Sequence, residues 1–152
     1  MTTSDHAPST YADTDPPLGT HVNPDPATVD TTKFTGLGEY AALAPRTAVY
    51  PGAGTGSLIA VAYAALGLAN EAGEAAGKVK KVLRDHPDVV NFRDLPAEVK
   101  LAVADEVGDT LWYAALLCRE IGVSLVTVAR RNIRKLYSRL ERGTLQGSGD
   151  NR

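Results

Sequence analysis

The sequence predicts an all-α protein, an antiparallel bundle of about four helices. Two observations carry this expectation. Apolar residues recur at three- and four-residue spacing over long stretches, and no segment alternates as a half-buried strand would. Clear breakers, Tyr50-Pro-Gly-Ala-Gly-Thr-Gly56 and His86-Pro87-Asp88, separate those stretches.

The elements follow in order. Residues 34–49 are weakly helical, with Leu37, Tyr40, Ala41 and Ala44 on one side and Pro45 placed to kink or divide the segment. The glycine-rich breaker ends in Ser57 and Leu58 rather than Gly-Lys-Ser/Thr, so it does not meet the P-loop requirement and reads as a flexible connection. Residues 57–85 form one long helix rich in Ala and Leu, with Leu58, Ala62, Ala65 and Ala69 as a small-residue stripe. Gly67, Gly73 and Gly77 each cost about 1 kcal/mol relative to Ala there, which suggests close packing or a site needing room. A polar connection follows over 86–95, with Asp94 as N-cap and Pro96 near the first turn of the next helix. That helix, 96–121, repeats Val99, Val103, Val107, Leu111 and Ala114 and stops at Gly122. Ser124 caps a last helix through Glu141, with Leu125, Val128, Ala129, Ile133, Leu136 and Leu140 apolar, and Gly143 ends it.

Charge divides the chain unevenly. The first 32 residues hold five Asp and no Lys or Arg, a charge of −5. The rest has 16 basic and 18 − 5 = 13 acidic residues, a charge of +3. Five of the nine prolines fall in that first segment. Residues 1–32 therefore read as a disordered acidic tail, 33–143 as one helical domain, and 144–152 as a polar, glycine-rich ending. No run of about 18 apolar residues is present, so no membrane span is expected. The N-terminus lacks the basic and apolar regions of a secretory signal. The single cysteine, Cys118, excludes an internal disulfide framework and a CxxC zinc site, and a reducing, cytoplasmic setting is expected. The net charge of −2 gives no argument for nucleic acid, and Arg130, Arg131, Arg134, Lys135 and Arg139 are spread around their helix like a solvated surface.

The informative feature is two acidic pairs, Glu71-x-x-Glu74 and Glu106-x-x-Asp109, on successive helices. Residues three apart share a helix face. In an antiparallel hairpin the two pairs can face each other. Four converging carboxylates repel unless a cation joins them. Hard oxygen donors select Mg²⁺ or Mn²⁺, which keep waters and take phosphates as further ligands. Lys78 and Lys81 continue the stripe as cations, and Asn132, Lys135 and Arg139 recur at spacings of three and four on the last helix, a set able to reach a phosphate or a base. The same spacing also suits solvated helix faces, and Glu74 with Lys78 is an ordinary i, i+4 pair.

The run from Leu66 through Glu71, Glu74 and Lys78 to Lys81 resembles the first signature of the MazG-like, all-α nucleoside triphosphate pyrophosphohydrolases. Asp105-Glu106-Val-Gly-Asp109-Thr-Leu-Trp112-Tyr113 resembles the second and Asn132-Ile-Arg-Lys135-Leu-Tyr-Ser-Arg139 the third. The resemblance covers roughly residues 34–152, with the motifs in the family's order. It implies Mg²⁺ ligands at Glu71, Glu74, Glu106 and Asp109. It further implies a phosphate-facing lysine at Lys78 or Lys81, and third-motif contacts from Asn132 and Lys135. The 31 residues between Glu74 and Glu106 are long for the family, and the excess is assigned to the 86–95 connection. Ala41 stands where related sequences often carry Gln. The ending 147–152 resembles that of a subset of the family.

The implied reaction is hydrolysis of a nucleoside or deoxynucleoside triphosphate between the α and β phosphates, giving monophosphate and pyrophosphate. Glu71 or Glu74 would accept the water's proton, and Lys78 or Lys81 would offset charge on the leaving group. Leu111, Trp112, Leu116 and Leu117 cover more than one side of their helix, so a homodimer or homotetramer is expected, with part of each site supplied across the interface. Two alternatives stand beside this. One is a related all-α hydrolase of dUTP/dCTP or phosphoribosyl-ATP type; the other is a non-catalytic helical interaction module.

Overall fold

The computed structural model describes residues 35–146. The expected acidic tail, 1–32, and the ending 147–152 lie outside them. The described residues are all-α: helix α1 (Leu37–Leu43), a 3₁₀ turn (Ala44–Thr47), α2 (Leu58–Asp85), a second 3₁₀ turn (Phe92–Asp94), α3 (Ala97–Glu120) and α4 (Leu125–Glu141).

Pro45 divides the first segment as its missing N–H requires. It sits inside the 3₁₀ turn directly after α1 and is fully buried. Ser57 caps α2, its hydroxyl accepting from the Ala60 N–H at 3.4 Å, and Ser124 caps α4 in the same way through the Thr127 N–H. Gly122 and Gly143, with φ of 72° and 65°, stop α3 and α4 in the left-handed conformation. Asp94 does not cap α3. It closes the preceding 3₁₀ turn, whose own cap is the Asn91 side chain accepting from the Arg93 N–H, and Pro96 occupies the N-cap position.

α2 and α3 form an antiparallel hairpin that dominates the packing. Lys78 meets Ala102, Gly67 meets Tyr113, and Ala60 and Ala64 meet Leu116. The stripe of Leu58, Ala62, Ala65 and Ala69 faces outward, with Leu58 85% exposed. The inward stripe runs instead through Ala60, Ala64, Gly67, Glu71, Ala75 and Lys78. In a helix this rich in alanine several faces are equally apolar, so periodicity alone does not choose between them. Gly67 packs closely as expected: a Cβ there would overlap the Tyr113 ring. Gly73 and Gly77 face open space, so packing within the described residues does not explain them.

Two small apolar clusters hold the fold. One joins Ala44, Ala115, Cys118 and Leu125; the other joins Tyr50, Ala60, Ala64 and Leu116. Trp112 touches both, and its Nε1–H donates to the Ala44 carbonyl at 3.0 Å and to Thr47 Oγ1 at 2.8 Å, pinning the 3₁₀ turn to α3. α4 packs on α1 and α3 and turns 104° from the α3 direction. Of its expected apolar positions only Leu125 is buried. Among the described residues no single helix is long and apolar enough to cross a membrane.

The glycine-rich segment is ordered around one buried carboxylate. Gly52, Gly54 and Gly56 all take positive φ, where a side chain would be strained. This lets the Gly54 and Gly56 N–H groups donate to Glu120 at 2.7 and 2.9 Å, and the Tyr50 hydroxyl adds a third bond at 2.5 Å. Burial alone would raise the Glu120 pKa, but the hydrogen bonds outweigh it and hold the carboxyl below its ordinary value. The loop's amides are therefore occupied by an internal anion. The flexible connection expected from composition is an ordered turn.

Candidate metal centre

Glu71 and Glu74 leave α2 one turn apart, and Glu106 leaves the facing part of α3. Their carboxylate oxygens lie within 4.8 Å of one another. The antiparallel pairing produces this convergence, because the inward α2 stripe passes through Glu71 and the buried α3 face passes through Glu106. Asp109, the fourth expected ligand, stands outside that trio. It lines the adjoining cleft beside Glu71 and acts on it electrostatically.

The charges are unequal in setting. Partial burial pushes the Glu71 pKa up, and Glu74, Glu106 and Asp109 push it further, against a hydrogen bond from Asn70. Glu106 is held below its ordinary value by its ion pair with Lys78. The same contact raises the Lys78 pKa, and Lys78 also donates to the Ala102 carbonyl at 2.8 Å. Asn70 Nδ2 donates to Glu74 at 2.9 Å and fixes that side chain on its helix. The Glu71 and Glu106 carboxyls lie close enough to influence each other's titration, Glu71 upward and Glu106 downward. Three hard oxygen donors from two rigid helices suit a small divalent cation.

The cleft beside the trio has a volume of about 670 Å³ and is walled by Tyr40, Thr47, Trp112 and Tyr113, with Glu71 and Asp109 on its rim. Trp112 and Tyr113 meet edge to face, with centroids 4.8 Å apart. Tyr63, which acts electrostatically on Tyr113, stacks on Tyr50 at 4.7 Å. Aromatic walls of this kind accept a flat ring. The sequence placed Trp112 and Tyr113 in the second family signature and Tyr40 on the apolar side of the first helix, but gave none of the three a place at the site. The adjacency of Trp112-Tyr113 to the second acidic pair was the available signal.

The remaining expected site residues fall in two places. Lys81 joins Lys78 in a smaller groove of about 310 Å³ between α2 and the start of α3, with Asp85, His86 and Glu98. Asn132 and Lys135 are exposed on α4, which packs on α1 and α3, and Arg139 is buried there. Among the described residues neither Asn132 nor Lys135 makes a hydrogen bond or ion pair with the carboxylate trio.

A strand-free hairpin of long helices, with a carboxylate trio beside an aromatic cleft, defines a class of small all-α proteins with an acidic cluster between paired helices. The MazG nucleotide pyrophosphohydrolase domain matches residues 62–143, and the chain belongs to that family. It is also similar to the Gene 37 protein of Mycobacterium phage L5, with 48% identity over 117 residues, 74% of this chain and 96% of that protein. No solved structure matches.

Proposed function

We propose that the protein hydrolyses a nucleoside or deoxynucleoside triphosphate between the α and β phosphates, releasing monophosphate and pyrophosphate. The observation that carries the reading is the trio of Glu71, Glu74 and Glu106 oxygens within 4.8 Å beside an aromatic cleft. A polyphosphate at the trio and a base in the cleft make one continuous ligand. Glu71, Glu74 and Glu106, with Asp109 beside them, would hold Mg²⁺ or Mn²⁺, which when bound would supply charge neutralisation and water activation.

The chain's own residues do the rest. Glu71 or Glu74 accepts the attacking water's proton. Lys78, already carrying its charge beside Glu106, and Lys81 offset the charge that develops on the pyrophosphate. Trp112 and Tyr113 hold the base and exclude water from one side of the reacting phosphates. Asn132 and Lys135, exposed on α4, bind substrate from a second copy of the chain. The outward α2 stripe, with Leu58 and Leu66 85% and 72% exposed, is the surface for that homodimer or homotetramer.

Product analysis tests the reading. Purified protein with Mg²⁺ is given each common NTP and dNTP, with Glu74→Gln and Glu106→Gln alongside. Monophosphate plus pyrophosphate, lost in both variants and without metal, is the expected result. Orthophosphate plus diphosphate would refute the bond assignment. Absence of saturable Mg²⁺ binding would refute the metal centre.

A further inference from the structure

We propose that Thr47 is a positioning residue for the aromatic cleft, acting on a bound base through Trp112. The inference rests on the proposed reading of that cleft as the place of the base. Trp112 leaves α3 with its ring on the cleft wall. The second side-chain torsion of tryptophan is broad and roughly two-fold, so its place on the helix leaves the ring orientation open. The indole Nε1–H can only donate. It donates to the Ala44 carbonyl at 3.0 Å and to Thr47 Oγ1 at 2.8 Å. A half-turn of the ring would carry the N–H away from both acceptors. The two acceptors therefore select one ring orientation, and the edge-to-face contact with Tyr113 adds a second constraint.

The backbone, not the indole, sets where Thr47 stands. Thr47 ends the 3₁₀ turn whose Ala44 and Pro45 are buried, and the Ala48 N–H closes that turn on the Pro45 carbonyl at 3.2 Å. Thr47 Oγ1 donates to the Ala44 carbonyl at 2.9 Å, so its proton is engaged there and a lone pair is left for the indole N–H. The residue itself is exposed and lines the cleft. At an exposed position water replaces a lost hydrogen bond, so this contact contributes little to folding. Its effect falls on the ring. Stacking depends on the relative geometry of two rings, and a ring free to turn must be ordered when a ligand binds, which weakens affinity. With its N–H bonded inside the protein, Trp112 offers a ligand a ring surface and no donor. Its contribution is to hold a flat base of any kind, not to read the edge of one.

The test uses the full chain with Mg²⁺ and the α,β-methylene analogues of ATP, GTP, CTP and UTP, which resist cleavage at the proposed bond. Titration calorimetry compares the unsubstituted chain with Thr47→Val, which keeps the shape, and Thr47→Ser, which keeps the hydroxyl. Thr47→Val should weaken every analogue that binds by about threefold to tenfold, the factor for one hydrogen bond, and Thr47→Ser should restore binding. In a Trp112→Phe background, which has no indole N–H, Thr47→Val should change nothing further. Trp112 is the one tryptophan of the chain, so fluorescence anisotropy decay without ligand reads its ring directly. The fast component should grow in Thr47→Val and return to its original size in Thr47→Ser, two arms that hold even if Trp112→Phe loses the fold. Unchanged binding or unchanged ring motion in Thr47→Val would overturn the inference and leave the proposed function standing. So would a loss that persists in Trp112→Phe, or one confined to a single base. If no analogue binds the unsubstituted chain while the ring responds as expected, the cleft is not the base site, and the inference falls with that reading.

Discussion

Replacing the glycines of α2 one at a time by alanine separates packing from helix propensity. In an exposed helix interior each Gly→Ala change gains about 1 kcal/mol. At Gly73 and Gly77 a Cβ meets nothing within 4 Å, so the full gain is expected. At Gly67 the Cβ would overlap the Tyr113 ring, which packs edge to face against Trp112 and cannot swing aside freely. Overpacking of this kind costs about 1–3 kcal/mol. Set against the propensity gain, Gly67→Ala is neutral to about 2 kcal/mol destabilising, and the gap to Gly73→Ala is about 1–3 kcal/mol. Urea unfolding read by the Trp112 fluorescence and by helical circular dichroism measures both. If Gly67→Ala stabilises as much as Gly73→Ala, the close α2–α3 approach at that level is wrong. The double variant Gly67→Ala with Tyr113→Leu should recover about 1 kcal/mol or more relative to additivity, the signature of direct contact.

Other outcomes follow from the same geometry. Glu120→Gln should destabilise the chain by about 2–4 kcal/mol, because it removes the charge from an acceptor of three hydrogen bonds. Since the Glu120 pKa is depressed in the fold, its contribution is present above the ordinary glutamate range and lost as pH falls, so acid titration should destabilise the native protein more steeply than the Gln variant. Glu71 behaves oppositely. Its raised pKa means that metal-free stability declines as pH rises above the ordinary glutamate value, and thermal melts should show this slope abolished by Glu71→Gln and reversed by Mg²⁺. Glu74→Gln and Glu106→Gln should each lower pyrophosphate release about 10²-fold or more, with calorimetry showing weakened Mg²⁺ binding.

The four helices were legible because each carries its own signals. Ser57 and Ser124 cap, Gly122 and Gly143 stop, and Pro45 divides, all by local backbone chemistry that needs no tertiary partner. The spacing of Glu71 and Glu74 was legible for the same reason, since i, i+3 spacing fixes a shared face, whereas Asp109, three residues from Glu106, stands outside the trio. The inward stripe of α2 was not, because alanine on every side leaves periodicity without contrast. Asp94 was misread as the α3 cap because its side chain is as good an N-cap as any until Pro96 is seen at that position.

The role of Glu120 was invisible from sequence, since its partners Tyr50, Gly54 and Gly56 lie more than sixty residues away and only folding brings them within hydrogen-bond reach. The aromatic cleft is of the same kind: Tyr40 and Thr47 reach Trp112 only because the buried Pro45 turn sets them there. By itself the sequence determined the helices, their ends and the spacing of the carboxylates, which are local properties of 3.6-residue periodicity. The tertiary structure decided which faces meet. It joined Glu71 and Glu74 to Glu106, left Asp109 on the rim of the cleft and paired Lys78 with Glu106, because those distances depend on the register of two helices and not on either one alone.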